Sequence, residues 1–240
     1  GCPPLLRYHC MMLNILAGCA VGRANITTVE AKLQSLYQYE FIMKAVSDPM
    51  THIEVKIGLM NLFFEAYVEV EIKIPGLSSS IEFWEAAKTL VEPPKQMATA
   101  LLSGDVSLPE MRKMMHYVFL SAKVMDGFLE SYYEGTEFRN DDKVHPDSVA
   151  EGDENDEDSE DDEASVHWID KIFVDLYHAY KELYDLKSPM VTPEQNTALY
   201  RVMDSLSITT DALANVDLPL HIDVLLGDPN QEDEEIVNSK

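Results

Sequence analysis

Apolar side chains recur along most of the chain at spacings of three and four residues, the period of an α-helix. The clearest stripe consists of Ile53, Ile57, Met60, Phe64 and Tyr67. A second stripe repeats strictly every four residues and consists of Trp168, Ile172, Leu176 and Tyr180. Each stripe would lie on one face of a helix and pack against its neighbours. The pattern therefore predicts long amphipathic helices in both parts of the chain.

Start and stop signals divide nearly all of the sequence into helical segments. The predicted segments are 5–21, 29–36, 39–46, 51–70, 81–91, a short one ending at Leu102, 109–133, 166–186, 195–207 and 218–226. Their starts are marked by Thr51 with Glu54 in a capping box, by Ser79 or Ser80, by Ser107 before Pro109, and by Thr192 before Pro193. A side-chain oxygen at such a position satisfies a backbone amide that the helix leaves unpaired.

One segment has a different period. Val68, Val70, Ile72 and Ile74 alternate with other residues, as in a β-strand. No partner strand is visible, and Pro75 and Gly76 end the segment, so we interpret it as the frayed end of the helix that begins at Thr51.

Consecutive helices with short connections pack naturally into a stack in which each pair covers the next. We therefore expect an all-α, armadillo-like helical solenoid. Its first part would be 1–140 and its second part 166–228, separated by a disordered acidic loop at 141–165 and followed by an acidic tail at 229–240. No repeat is legible in the sequence, so an irregular helical bundle is the alternative.

The formal net charge of −25 is concentrated in one place. Residues 141–163 contain 13 carboxylates and one lysine, which gives this run a charge of −12. Such a field repels nucleic acid and anionic membrane surfaces and leaves cationic partners, including calcium, permitted. An EF-hand loop needs a glycine at its sixth position. Because Gly152 lies outside the densest acidic part, no such register fits, and we expect a solvated loop.

The sequence contains no pattern that indicates catalysis, a cofactor or a metal site. None of the seven histidines has the i, i+4 spacing of a helical metal site, and none belongs to a nucleophile motif. They are His9, His52, His116, His145, His167, His178 and His221. The chain is therefore predicted not to be an enzyme, with no catalytic, cofactor-binding or metal-ligating residues.

The three cysteines, Cys2, Cys10 and Cys19, are typical of reduced thiols in the cytosol, and a zinc site that combines them with His9 would have an unusual spacing. Polar residues interrupt the most apolar stretches, 5–21 and 57–70, so no membrane span is predicted. The start at Gly1, without an initiator Met, suggests a segment of a longer chain.

Methionines and tryptophans are expected in the core, where Met fills irregular gaps and Trp anchors packing. The methionines concerned are Met11, Met12, Met114, Met115 and Met125, and the tryptophans are Trp84 and Trp168.

Several blocks, in the same order and spacing, resemble inositol trisphosphate receptor calcium channels. The first block contains Leu13–Ala17, Cys19, Gly22, Asn25, Thr28, Glu30, Lys32, Ser35 and Leu36. The second contains Glu54–Ile57, Asn61, Phe63, Tyr67, Val68, Glu71 and Trp84, and later pieces are Arg201–Met203 and Val216–Leu218. The resemblance spans most of 5–228, and ryanodine receptors are more distant relatives.

The resemblance implies a position in the central cytosolic solenoid of a tetrameric calcium-release channel of the endoplasmic reticulum. It also implies a role in transmitting conformational change to the pore, with other domains and subunits of the channel as partners. The receptors carry further acids after the position of Glu71, a region linked to calcium; here Lys73, Pro75 and Gly76 follow, which argues against such a site. Calcium regulation would then act elsewhere in the full-length protein. A free-standing scaffold that binds basic proteins through 141–163 is the alternative.

Overall fold

The computed structural model describes residues 3–21, 26–104, 107–133, 168–210 and 213. All regular secondary structure in this part of the chain is helical, which confirms the predicted all-α class. The helices are α1 (Pro4–Ala20), α2 (Ile26–Leu36), α3 (Tyr39–Ser47), α4 (Ile53–Phe63), α5 (Ile81–Thr89), α6 (Glu92–Ser103), α7 (Leu108–Tyr132), α8 (Trp168–Asp185) and α9 (Pro193–Thr209). A π-helical turn, Phe64–Val68, continues α4. The acidic run 141–165 and the segment 218–226 lie outside the described residues.

Two of the predicted helix starts are confirmed by their capping hydrogen bonds. The backbone N–H of Phe83 donates to Ser80 Oγ at 3.2 Å, so Ser80 rather than Ser79 caps α5. At α9 the backbone N–H of Gln195 donates to Thr192 Oγ1, and the Thr192 N–H donates to Gln195 Oε1 at 2.9 Å. Both caps depend on side chains within three residues, which is why the local sequence predicts them.

The capping box predicted at Thr51 and Glu54 is wrong. His52 is the residue that precedes α4, and its side chain makes no capping bond. The Thr51 N–H instead closes a turn by donating to the Asp48 carbonyl at 3.1 Å. The Glu54 carboxylate pairs with Lys113 of α7, and this hydrogen bond lowers the pKa of Glu54. A tertiary ion pair has replaced the local cap.

The interpretation of 68–74 as a helix end is only partly right. The π turn closes when the Glu69 N–H donates to the Phe64 carbonyl at 2.8 Å, and regular helix stops at Val68. Beyond it the chain is irregular up to Ser80, and Val70 is buried whereas Ile72 is exposed. The strand-like alternation therefore belongs to a mostly exposed loop that follows the helix and buries Val70.

The helices pack against one another in a regular order. We call α1, α4, α7 and α9 the first row, because α1 packs on α4, α4 on α7 and α7 on α9. The second row is α3, α5 and α8, with α6 packed on both α7 and α8. Contacts between α3 and α4 and between α8 and α9 join the rows.

Aromatic rings from four helices form the centre of the core. We call Phe63, Phe83, Trp84, Phe128 and Phe173 the aromatic core. The Phe83 and Phe128 centroids are 3.8 Å apart, and Trp84 meets Phe128 and Phe173 edge-on at 5.7 and 5.5 Å. The indole N–H of Trp84 donates to the Ser78 carbonyl at 2.8 Å, which satisfies its one polar group. Trp84 is thus the packing anchor that the sequence predicts, and Trp168 packs half-buried against the core.

Methionine burial agrees with the sequence except on α1. Met125 is fully buried, Met115 is buried, and Met12 and Met114 are half-buried. Met11, however, is 54% exposed, so its predicted core position is wrong. It lies in an outward stripe of α1 with other apolar side chains, namely Leu5, Tyr8 and Ile15. Because α1 is apolar on both sides, its sequence does not reveal which side is covered.

A glycine lets the first two helices of the first row approach closely. A methyl group at Gly58 of α4 would stand 3.0 Å from Leu13 Cδ1 and 3.1 Å from Leu13 Cβ of α1. A change of rotamer moves Cδ1 but not Cβ, so the helices themselves would have to separate. Gly18 of α1 has no atom within 4 Å of the same hypothetical methyl group.

We expect Gly58→Ala to lower the melting temperature and Gly18→Ala to raise it. Alanine favours a helix interior over glycine by about 1 kcal/mol, so Gly18→Ala should stabilise the protein by ~0.5–1 kcal/mol. At Gly58 the clash with Leu13 opposes that gain, since overpacking costs about 1–3 kcal/mol. Thermal unfolding followed by circular dichroism measures both. Equal stabilisation by the two substitutions would contradict the close approach of α1 and α4.

Candidate functional site

An extended groove lies on the helices of the first row. It consists of two adjoining concavities of about 400 and about 310 Å³ that share Asn61 and His116. The larger lies between α4, α7 and α9 and is lined by Asn61, Arg112, His116, Phe119, Lys123 and Gln195, among others. The smaller lies between α1, α4 and the π turn and is lined by Asn14, Ala17, Asn61, Glu65 and His116, among others. We call both together the first-row groove.

Side-chain amides project from three of the helices that form the first-row groove. Asn14 comes from α1, Asn61 from α4 and Gln195 from α9. Asn61 is half-buried, and its amide forms no hydrogen bond with any residue that the structure describes. Gln195 uses Oε1 in the cap of α9 and keeps its NH₂ group for other partners. A carboxamide both donates and accepts, as a peptide group does, so these side chains match the hydrogen-bonding needs of a peptide backbone.

The α7 side of the groove is basic. Arg112, His116 and Lys123 are exposed and lie four and seven residues apart, on one face of the helix. Arg112 and His116 form no ion pair or side-chain hydrogen bond within the described ranges. Lys123 holds its Nζ 3.9 Å from the centre of the Phe64 ring, a cation–π contact that fixes the ammonium group beside the groove.

One acid lines the first-row groove among the described residues. Burial raises the pKa of Glu65, the negative charge of Glu69 raises it further, and the nearby Lys123 acts in the opposite direction. Glu65 lies in the smaller concavity, whereas Arg112 and Lys123 lie in the larger one. The groove therefore has a basic end on a protein whose net charge is −25.

The core of the described helices offers no comparable site. An enclosed void of about 10 Å³ is lined by Met60, Phe83 and Met125 and other apolar side chains. A space of this size is at the lower limit for a water molecule, and it lacks the polar partners that a buried water needs. The void belongs to the packing of the core.

Histidines and cysteines are not brought together. His9 is half-buried, while His52, His116 and His178 are exposed, and no group of three or more His, Cys, Asp or Glu in the described ranges could hold a metal ion. Cys10 and Cys19 form no disulfide with a described residue. The other residues of these types in the sequence analysis, Cys2, His145, His167 and His221, lie outside the described residues. Among the described helices, none is sufficiently long and apolar to span a bilayer.

A buried acid lies near the loop that follows the π turn. Glu30 of α2 is 3% exposed, and its Oε1 has no hydrogen-bond partner. Burial raises the pKa of Glu30, and the negative charge of Glu71 raises it further. An unpaired polar atom in the interior costs about 1–3 kcal/mol, so Glu30 is a locally unfavourable feature of the fold.

We expect Glu30→Gln to increase the free energy of unfolding at pH 7.5 by an amount on the order of 1 kcal/mol, since it removes a buried charge beside Glu71. The melting temperature should rise accordingly. Because the pKa of Glu30 is raised in the folded state, the stability linked to its protonation is complete below the usual glutamate pKa and is lost as the pH rises. The gain should therefore disappear near pH 4. Thermal melts at both pH values measure this, with Glu130→Gln at an exposed position as the control. An equal gain at the two pH values would contradict this interpretation of Glu30.

Sequence reasoning missed the first-row groove. Its one legible signal is the spacing of Arg112, His116 and Lys123, which places three basic residues on one helical face. The amides of Asn14, Asn61 and Gln195 are far apart in the sequence, and only the packing of the helices brings them together. No protein-family model matches this chain.

Proposed function

We propose that this chain is a regulatory and coupling segment of an inositol trisphosphate-gated calcium-release channel. In this proposal it lies in the cytosolic part of the channel, at the endoplasmic reticulum membrane, and transmits conformational change from the ligand-binding domains to the pore. Its partners are other domains and subunits of the same homotetramer, and it has no catalytic role. The ordered resemblance to these receptors over most of residues 5–228 supports the assignment.

The structural observation that supports a coupling role best is the unbroken packing from α1 to α9. Each helix of the first row covers the next, and the second row closes the other side through α3, α5 and α8. An alternation of this kind is typical of an armadillo-like solenoid, in which each unit contacts only its neighbours. We include that architecture in the proposal.

The aromatic core makes the middle of this stack stiff. Phe63 belongs to α4, Phe83 and Trp84 to α5, Phe128 to α7 and Phe173 to α8, so one cluster joins both rows. Closely packed rings in the interior have few alternative arrangements, and a packed core transmits displacement instead of absorbing it. A displacement at α1 would therefore reach α9 through the cluster.

A segment of this kind influences a distant pore only if its contacts differ between the resting and the active assembly. The basic cluster that binds inositol phosphate in the family has no counterpart in these 240 residues, so the segment acts on a signal received elsewhere. Its end surfaces and its internal packing then carry the coupling. The acidic run 141–165 is not part of that path.

The alternative is a free-standing scaffold that binds basic proteins. It is favoured by the run of 13 carboxylates within 141–163. The sequence of the flanking gene distinguishes the two functions. A basic ligand-binding region upstream and a group of hydrophobic spans downstream support the channel, whereas stop codons close to both ends support the scaffold.

We expect Trp84→Ala and Phe64→Ala to weaken ligand-evoked calcium release in the full-length channel, while deletion of 141–165 leaves it largely intact. Both aromatic side chains are buried, and emptying such a site typically costs ~3–5 kcal/mol. Ile72→Ala is the control, because that side chain is 67% exposed. Calcium flux from reconstituted channels is the measurement, with ligand binding measured in parallel to show that the ligand-binding domains are folded. If the deletion silences the channel and both core substitutions are harmless, the coupling role is wrong.

A further inference from the structure

We propose that the first-row groove binds an acidic peptide segment of a partner protein in an extended conformation. This inference does not depend on the channel assignment, because it follows from the groove residues alone. It rests on two features: side-chain amides that can pair with a peptide backbone, and exposed cations on α7, of which Arg112 and His116 form no ion pair or side-chain hydrogen bond with a described residue.

The amides can flank an extended chain that lies along α7. Neighbouring packed helices lie about 8–10 Å apart, so side chains of α4 and α9 can reach a chain on α7 from either side. Asn14 on α1 and Asn61 on α4 lie on adjacent packed helices, with Gln195 on α9 beyond α7. Asn61 would be the central contact, because its half-buried amide has no described partner.

The cations of α7 favour a negatively charged peptide. Arg112 and Lys123 are eleven residues apart on α7, or about 16 Å along the helix axis. A segment with carboxylates at both ends of that distance would supply Arg112 with a counterion and pair with the ammonium group held over Phe64. Between Arg112 and Lys123, the groove is lined by the apolar side chains of Met115, Phe119 and Leu120. The preferred peptide therefore carries aliphatic or aromatic residues between its acids.

The negative charge of the rest of the protein should make binding selective for peptides that fit the groove. A net charge of −25 repels anions at long range, so an acidic polymer is not attracted to the protein as a whole. At physiological ionic strength that repulsion is screened over about 8 Å, while ion pairs formed in the groove persist. Only a peptide that reaches the local cations directly would bind, which disfavours the long phosphate backbone of nucleic acids.

The test is fluorescence anisotropy with the full chain at physiological salt. The probe is a short fluorescein-labelled peptide in which glutamates flank a central leucine pair, and the matched control peptide has lysines in place of the glutamates. We expect saturable binding of the acidic peptide alone. Arg112→Glu combined with Lys123→Glu should weaken it by about tenfold or more, because each substitution replaces attraction with repulsion.

Two further variants distinguish binding in the groove from an effect of the protein's net charge. Lys171→Glu changes an exposed cation on α8, away from the groove, and should leave the affinity within about twofold of the wild type. Asn61→Leu keeps the branched shape of the side chain but removes the amide, and should weaken binding several-fold. Thermal melts check that each variant is folded. The proposal is overturned if the wild type does not prefer the acidic peptide, if the double variant binds normally, or if Lys171→Glu weakens binding equally.

Discussion

The stacked pair of Phe83 and Phe128 holds the molecule together. With centroids 3.8 Å apart, these rings join α5 of the second row to α7 of the first, and Phe63 and Trp84 pack around them. Stacked and edge-on ring pairs contribute about 0.5–1.5 kcal/mol each beyond the area they bury. Since the cluster touches α4, α5, α7 and α8, the orientation of most described helices depends on it. The first-row groove depends on it indirectly, because its walls are the outer sides of α4 and α7.

The sequence predicted features that depend on neighbouring residues. Ser80 and Thr192 cap their helices through atoms three residues away, and Ile172, Leu176 and Tyr180 are all buried, as their spacing of four indicates. Prediction failed where a distant residue decides the outcome. Glu54 is drawn to Lys113, 59 residues away, and not to a local cap. The groove likewise combines α1, α4, α7 and α9, and no local pattern encodes their meeting.

The distribution of charge was predictable only in part. Composition located the strongest acidity at 141–163, but it did not reveal that the face of α7 carrying Arg112 and Lys123 would remain basic. Nor did it reveal that Glu30 would be buried, since that follows from how α2 packs against the π turn. The fold thus leaves Arg112 on the surface without an ion pair to a described residue, and it leaves Glu30 Oε1 unpaired in the interior. Surface cations of this kind are free to bind a ligand, whereas the buried acid is a cost to stability.

The π turn at Phe64–Val68 depends more on the number of residues it contains than on their identity. Its hydrogen bond spans five residues where an α-helix spans four, so the residues after it are rotated by about 100° relative to an uninterrupted helix. Within the turn, the Tyr67 hydroxyl donates to the Tyr37 carbonyl at 2.7 Å, while Phe64 at its start lies beneath Lys123. Loss of one residue between Phe64 and Tyr67 would rotate Tyr67 by about 100° and break its hydrogen bond to Tyr37. Over evolutionary time this turn should therefore accept substitutions more readily than insertions or deletions.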